Sequence, residues 1–317
     1  MERIDLSDKL MNSGNNAKEN LELAKQALIR ATENPVLSKY ITKEAVEKVM
    51  QTIKLCKTDE EYAEEYEKHA LDSMKRQGKE ITKEDIEYFK ELATSTMAAQ
   101  DYDTNEILLR PETDVDTIVH EAIHGIAIKD GVSGINKIGE ALIEEKENGW
   151  EDLKKFDITV LDESITEFIT KLVIPEREGD SAYAYGVDII ENYHNVCSRS
   201  SSSEKLFEAY FNKDQKALKD IANDFNSVDE NTWDKIVKSM RRHQLANMDI
   251  KYIKYLQNAM SKSELKQIFV ELSNNLEKRR EFTPRDIGKA TINASTISKM
   301  QAQNIENRNI EEKGINK

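Results

Sequence analysis

Three residues of one apolar segment have the types and the spacing to hold a metal ion beside a general base. The segment reads Asp116-Thr117-Ile118-Val119-His120-Glu121-Ala122-Ile123-His124-Gly125-Ile126 and contains the pattern H-E-x-x-H. In a helix, positions four apart lie one above the other, so His120 and His124 can offer two imidazole nitrogens to a single ion. Glu121 falls beside them. A zinc ion held there activates water for attack on a carbonyl. A neighbouring carboxylate takes the proton and later returns it to the leaving amine. One helical turn then supplies two ligands and the base.

With 5 histidines in 317 residues, chance yields such a pattern in roughly 1 of 100 chains. The surroundings strengthen it. Ile118, Val119, Ala122, Ile123, Ile126 and Ala127 are uncharged, and a buried histidine pair around a glutamate is costly unless something satisfies it. A metal is the simplest satisfier. The competing reading is two core histidines bonded to backbone carbonyls, with Glu121 on a solvated face.

Catalytic zinc takes three protein ligands and keeps a fourth position open. Asp130, six residues past His124, stands where one class of zinc enzyme carries its third ligand after a tight turn. That class needs glycine three residues after the second histidine, and this chain has Ala127, which cannot make the same turn without strain. A better candidate lies further on. Leu161, Ile165, Phe168, Ile169 and Leu172 recur at helical spacing and predict a second amphipathic helix. On it Glu163 and Glu167 share a face, so that Glu163 can bind the metal while Glu167 accepts the free N–H of a ligating histidine. A solvated acidic face is the plainer reading of that pair.

In these residues the chain resembles the gluzincin zinc metallopeptidases, where H-E-x-x-H is followed by a glutamate on a downstream helix and an acidic residue four positions later. The resemblance spans roughly Glu106 to Asn212. It implies one Zn2+ per chain held by His120, His124 and Glu163, with Glu121 as catalytic base and Glu167 orienting a histidine. It also implies a zincin-like metallopeptidase core and a peptide or protein substrate. The short apolar run Asn105 to Pro111 predicts a strand, and the resemblance makes it an edge strand over the metal that pairs with extended substrate. A buried connector is the alternative for that run. Tyr185 and His194, on one predicted helix, are candidate donors to the oxyanion of the tetrahedral intermediate. Tyrosines on such a helix more often serve the core. A different class of function, a non-catalytic helical binding or regulatory protein on a peptidase-like scaffold, also accommodates the motif.

The elements that must position these residues are mostly helices. Only 11 Gly and 4 Pro occur, which leaves few turns and little all-β character, so the fold class is mainly α (α+β) with a small strand region. Apolar spacing predicts helices over Lys18 to Thr32, Thr42 to Cys56, Asp59 to Arg76 and Lys83 to about Ala98, the last opened by a Thr82/Asp85 capping box. The metal helix is expected over Asp114 to Asp130, ended by Gly131. Further helices are expected from Ile135 to about Asn148, Glu204 to Phe211, Asp214 to Phe225, Glu230 to Ala259 and Ser261 to Arg280. A polar linker at Ser198 to Ser203 and a polar tail from Thr283 complete the chain. This organisation divides into an N-terminal helical region (1–100), a peptidase core (101–212) and a C-terminal helical region with a polar tail (213–317).

A net charge of −14 argues against general binding to nucleic acid or an anionic membrane, because phosphate contacts need a basic surface. Cys56 and Cys197 are too few and too far apart for a disulfide framework and are expected as reduced core thiols. The N-terminus lacks the basic segment and apolar run of a signal peptide, so a cytoplasmic location is the default expectation. Secretion by a route without a classical signal would leave no trace in the sequence.

Overall fold

The computed structural model describes residues 5–14, 16–76, 78–101, 104–129, 131–135, 151–177, 183–197, 204–227, 230 and 232–247. Asp130, the helix expected at 135–148, the 198–203 linker, the helix expected at 261–280 and the tail from 283 lie outside these residues, apart from Ile135 itself. The described part is mainly helical with one small sheet. No described helix is long and apolar enough to cross a membrane.

The chain divides into two units. The first comprises Met1–Gly134, Thr166–Asp180 and Tyr210–Asn212, and the second comprises Ile135–Ile165, Ser181–Ala209 and Lys213–Lys317. In the first unit the chain runs through α1 (Leu6–Met11), α2 (Ala17–Ala31), α3 (Lys43–Met50), β1 (Ile53–Leu55), α4 (Asp59–Arg76), α5 (Lys83–Ser95), β2 (Ala98–Asp101), β3 (Glu106–Leu109) and α6 (Val115–Ile126). Side-chain caps start several helices. Asn16 accepts from the Lys18 and Glu19 amides, Thr42 from the Ala45 amide, and Asp114 from the Thr117 amide. Thr82 and Asp85 form the reciprocal capping box that their spacing predicts.

The sheet order is β1-β3-β2, with β1 parallel and β2 antiparallel to β3. Two expectations change here. The helix expected over Thr42 to Cys56 stops at Met50, and Ile53–Leu55 becomes a strand paired with Ile107–Leu109. The strand expected at Asn105 to Pro111 exists but is central, flanked on both sides. Its Ile107, Leu108 and Leu109 are all buried, which is why it is a continuous apolar run without alternation.

Against this sheet, α6 packs on β2 and β3 and is also held by α2 and α3. Its Ile118, Val119, Ala122 and Ile123 are fully buried with Leu28 of α2 and Val46 of α3. The close approach explains one glycine: a Cβ on Gly125 would collide with the Val49 side chain and crowd the Gln100 amide nitrogen. The helix ends at Ile126, four residues before the expected end. Gly131 instead takes φ +73° inside the Lys129–Val132 bridge, a left-handed conformation that suits glycine. On α4, His69 is half-buried among carboxylates, 3.3 Å from Glu106, 3.6 Å from Asp101 and 3.9 Å from Glu65.

The helix α7 (Glu151–Val173) contributes Thr166–Val173 to the first unit. Two arginines hold the turn that follows it. Arg30 of α2 binds Glu176 and the Val173 carbonyl, while Arg177 grips both carboxylate oxygens of Asp116 at 3.0 and 2.9 Å.

The second unit is helical among its described residues: α8 (Ala184–Cys197), most of α9 (Glu204–Asn212), α10 (Gln215–Asn226) and α11 (Thr232–Asn247). Its core includes Ile158, Leu161, Ile190, Tyr193, Phe207, Ile221 and Phe225. Gly186 lets α8 lie against Ser164 and Met240, where a Cβ would clash with both.

Candidate metal centre

The spacing of H-E-x-x-H is realised on α6, in which His120 and His124 are both buried. Their Nε2 atoms face each other 3.2 Å apart. Bonds of about 2.0–2.1 Å at a tetrahedral angle would place two zinc-bound imidazole nitrogens about 3.3–3.4 Å apart. The observed separation fits that geometry.

Hydrogen bonds on the far side of each ring fix its tautomer. His120 Nδ1 lies 2.9 Å from Glu167 Oε2, a carboxylate oxygen that can only accept while ionised, so Nδ1 carries the proton. Ser133 donates its hydroxyl proton to the His124 carbonyl at 3.0 Å, and its oxygen therefore accepts from His124 Nδ1 at 3.2 Å. Both Nε2 atoms are then unprotonated, and two lone pairs converge on one point. A metal ion between them would remove the repulsion, as would a proton on one of the two nitrogens.

Glu163 completes the set. It stands one turn before Glu167 on the same unbroken helix, and ligand atoms of His120, His124 and Glu163 all lie within 4.8 Å of one another. The two acidic residues of α7 are placed differently: the half-buried Glu163 lies in the cluster, while Glu167, 3% exposed, is hydrogen-bonded to His120. Among the described residues no other group of three such side chains converges in this way. A neutral imidazole pair with one carboxylate suits zinc.

Glu121 sits between the histidines in sequence and is half-buried. Its charge reaches two tyrosines of α4. Burial pushes the Tyr62 phenol up to about 12 and Glu121 adds to that rise, while Tyr66 is raised by the same two causes together with its tyrosine neighbours.

Tyr185 and His194 lie on α8 in the second unit. The Tyr185 hydroxyl bonds to Ser239 and its ring stacks on His243 with centroids 4.6 Å apart. His194 meets Phe207 edge-on, and burial lowers its basicity below the usual histidine range. Two residues that carry no sequence signal touch the histidines' surroundings: Ser133, and Tyr210 of α9, whose hydroxyl lies 3.4 Å from His124 Nδ1. Neither belongs to a motif. Ser133 follows a turn, and Tyr210 reads as one of the apolar positions of its helix.

No protein-family model, curated protein or solved structure matches this chain, so the centre is read from its own geometry.

Proposed function

We propose that this chain is a zinc-dependent metallopeptidase of the gluzincin type, with a zincin-like core around α6 and α7. The observation that carries the reading is the convergence of His120, His124 and Glu163, with Glu121 in the same helical turn and Glu167 behind His120. Zinc bound there would supply Lewis-acid activation of water and of a substrate carbonyl. His120 and His124 would hold it through Nε2, and Glu163 through its carboxylate. Glu121 would take the proton of the attacking water and return it to the amine of the departing peptide. No covalent acyl intermediate is involved. Tyr185 and His194 are the candidates the sequence offers for donation to the developing oxyanion; if either fills that role, Tyr185→Phe or His194→Gln lowers kcat with the metal retained.

The substrate is a peptide or protein. Because β3 is central, an extended peptide adding to the sheet would have to join an outer strand, β1 or β2.

Elemental analysis of the wild type tests the metal, and a peptide library tests turnover. One zinc per chain is expected, lost in Glu163→Ala. Glu121→Gln should keep the zinc and lose peptide cleavage by at least about 100-fold. Absence of zinc after reconstitution would overturn the reading. Zinc with unchanged cleavage in Glu121→Gln would overturn the role of Glu121.

A further inference from the structure

The two histidines of the centre are backed by different chemistry. His120 rests on a carboxylate, Glu167, whereas His124 rests on hydroxyls. Ser133 Oγ lies 3.2 Å from His124 Nδ1 and Tyr210 Oη lies 3.4 Å from the same atom. Behind Tyr210, the Thr166 hydroxyl is 2.6 Å from the phenol oxygen. Ser133, Thr166 and Tyr210 are each at most 1% exposed, so water does not compete for these bonds.

We propose that Ser133 and Tyr210 are positioning residues for His124, and that Thr166 sets the direction of the Tyr210 hydroxyl. Ser133 gives its proton to the His124 carbonyl; either oxygen of the Tyr210–Thr166 pair can donate, and in the arrangement proposed here Tyr210 does, so that both the Ser133 and Tyr210 oxygens present lone pairs to the single Nδ1–H. That shared proton leaves Nε2 unprotonated, as a metal ligand must be, and fixes the plane of the ring. Thr166 immediately precedes Glu167 on α7. The helix that brings Glu163 therefore also holds both histidines, His120 directly and His124 through Tyr210. A neutral backing leaves the centre one negative charge lighter than a carboxylate behind each histidine would.

The inference rests on the zinc reading and is tested by zinc affinity rather than by activity. A purely structural role would destabilise the zinc-free and zinc-bound protein equally and leave the dissociation constant unchanged. Chelator competition on the full chain would measure that constant for wild type, Tyr210→Phe, Ser133→Ala, Ser133→Thr, Thr166→Val and the double variant of Tyr210→Phe with Thr166→Val. Tyr210→Phe and Ser133→Ala are expected to weaken zinc binding about tenfold each, and Ser133→Thr, which retains the hydroxyl, should stay near wild type. Thr166→Val should weaken binding in the wild-type background and add nothing to Tyr210→Phe. Values within twofold of wild type for both Tyr210→Phe and Ser133→Ala would overturn the inference while leaving the zinc site standing. A wild type that binds no zinc would overturn both. Should Tyr210→Phe fail to fold, the contrast between Ser133→Ala and Ser133→Thr decides.

Discussion

A single hydrogen bond stands behind one of the two histidines of the candidate centre. Glu167 is 3% exposed, and its Oε2 lies 2.9 Å from His120 Nδ1. A carboxylate in that position fixes the tautomer, orients the ring and makes the imidazole a stronger donor. Removing it leaves a buried N–H without that acceptor. Glu167→Ala is therefore expected to raise the zinc dissociation constant by about 10–100-fold, measured by competition with a chromogenic chelator. Affinity equal to wild type would mean that the bond does not support the metal. At this scale the sequence is informative where covalent spacing on one helix determines geometry. His120 and His124 on α6, and Glu163 and Glu167 on α7, are each four apart, and the structure brings three of them together and sets the fourth behind His120. Ser133 and Tyr210 are not legible in the same way. Ser133 reaches His124 because the chain turns back through the Lys129–Val132 bridge, and Tyr210 arrives from a helix 86 positions away in sequence.

The helix α6 owes its position to the small side of its own surface. Gly125 follows His124 directly, and any Cβ there would collide with Val49 on α3, a side chain too stiff at χ1 to swing aside cheaply. Alanine has the better intrinsic helix propensity by about 1 kcal/mol, yet overpacking of this kind costs about 1–3 kcal/mol. The clash should win. Gly125→Ala is expected to lower stability by about 1–2 kcal/mol in thermal unfolding of the zinc-free protein, with weaker zinc binding as α6 shifts. An alanine variant more stable than wild type would show that α6 is not held this tightly. Elements with a strong local signal are readable: the helix over Asp59–Arg76 matches its expected span, and the Thr82 capping box forms. Ile53–Leu55 reads as helix because Ala45, Val46, Val49, Met50 and Ile53 continue a helical repeat. Only its pairing with β3, remote in sequence, makes it a strand. The same pairing explains why β3 is central rather than an edge, since the chain between its two partners gives no periodic sign of which strand flanks which.

Stability against pH tests how the molecule handles its excess of acid, −14 overall. Two arginine–carboxylate pairs anchor the turn after α7, and they titrate with opposite sign. Hydrogen bonding from Arg30 holds the Glu176 carboxyl down at about 2, against the opposing pull of burial. Its folded value lies below the unfolded one, so its contribution is present above pH 4.5 or so and is lost as pH falls toward 2. After solvent screening that contribution is on the order of 2 kcal/mol. For Asp116 burial is the larger influence, and it pushes the carboxyl up to about 6 although Arg177 pulls the other way. The folded value now lies above the unfolded one. Its contribution is present below the unfolded value near 3.8 and is lost as pH rises through 6. Unfolding of the zinc-free protein between pH 2 and 7 separates the two when wild type is compared with Glu176→Gln and Asp116→Asn. The difference curve for Glu176→Gln should change between about pH 2 and 4.5, and that for Asp116→Asn between about 4 and 6, in the opposite direction. If Asp116→Asn instead costs more as pH rises through that window, Arg177 outweighs burial. The ion pair would then stabilise the junction of α6 and α7 at neutral pH instead of being carried there at a cost.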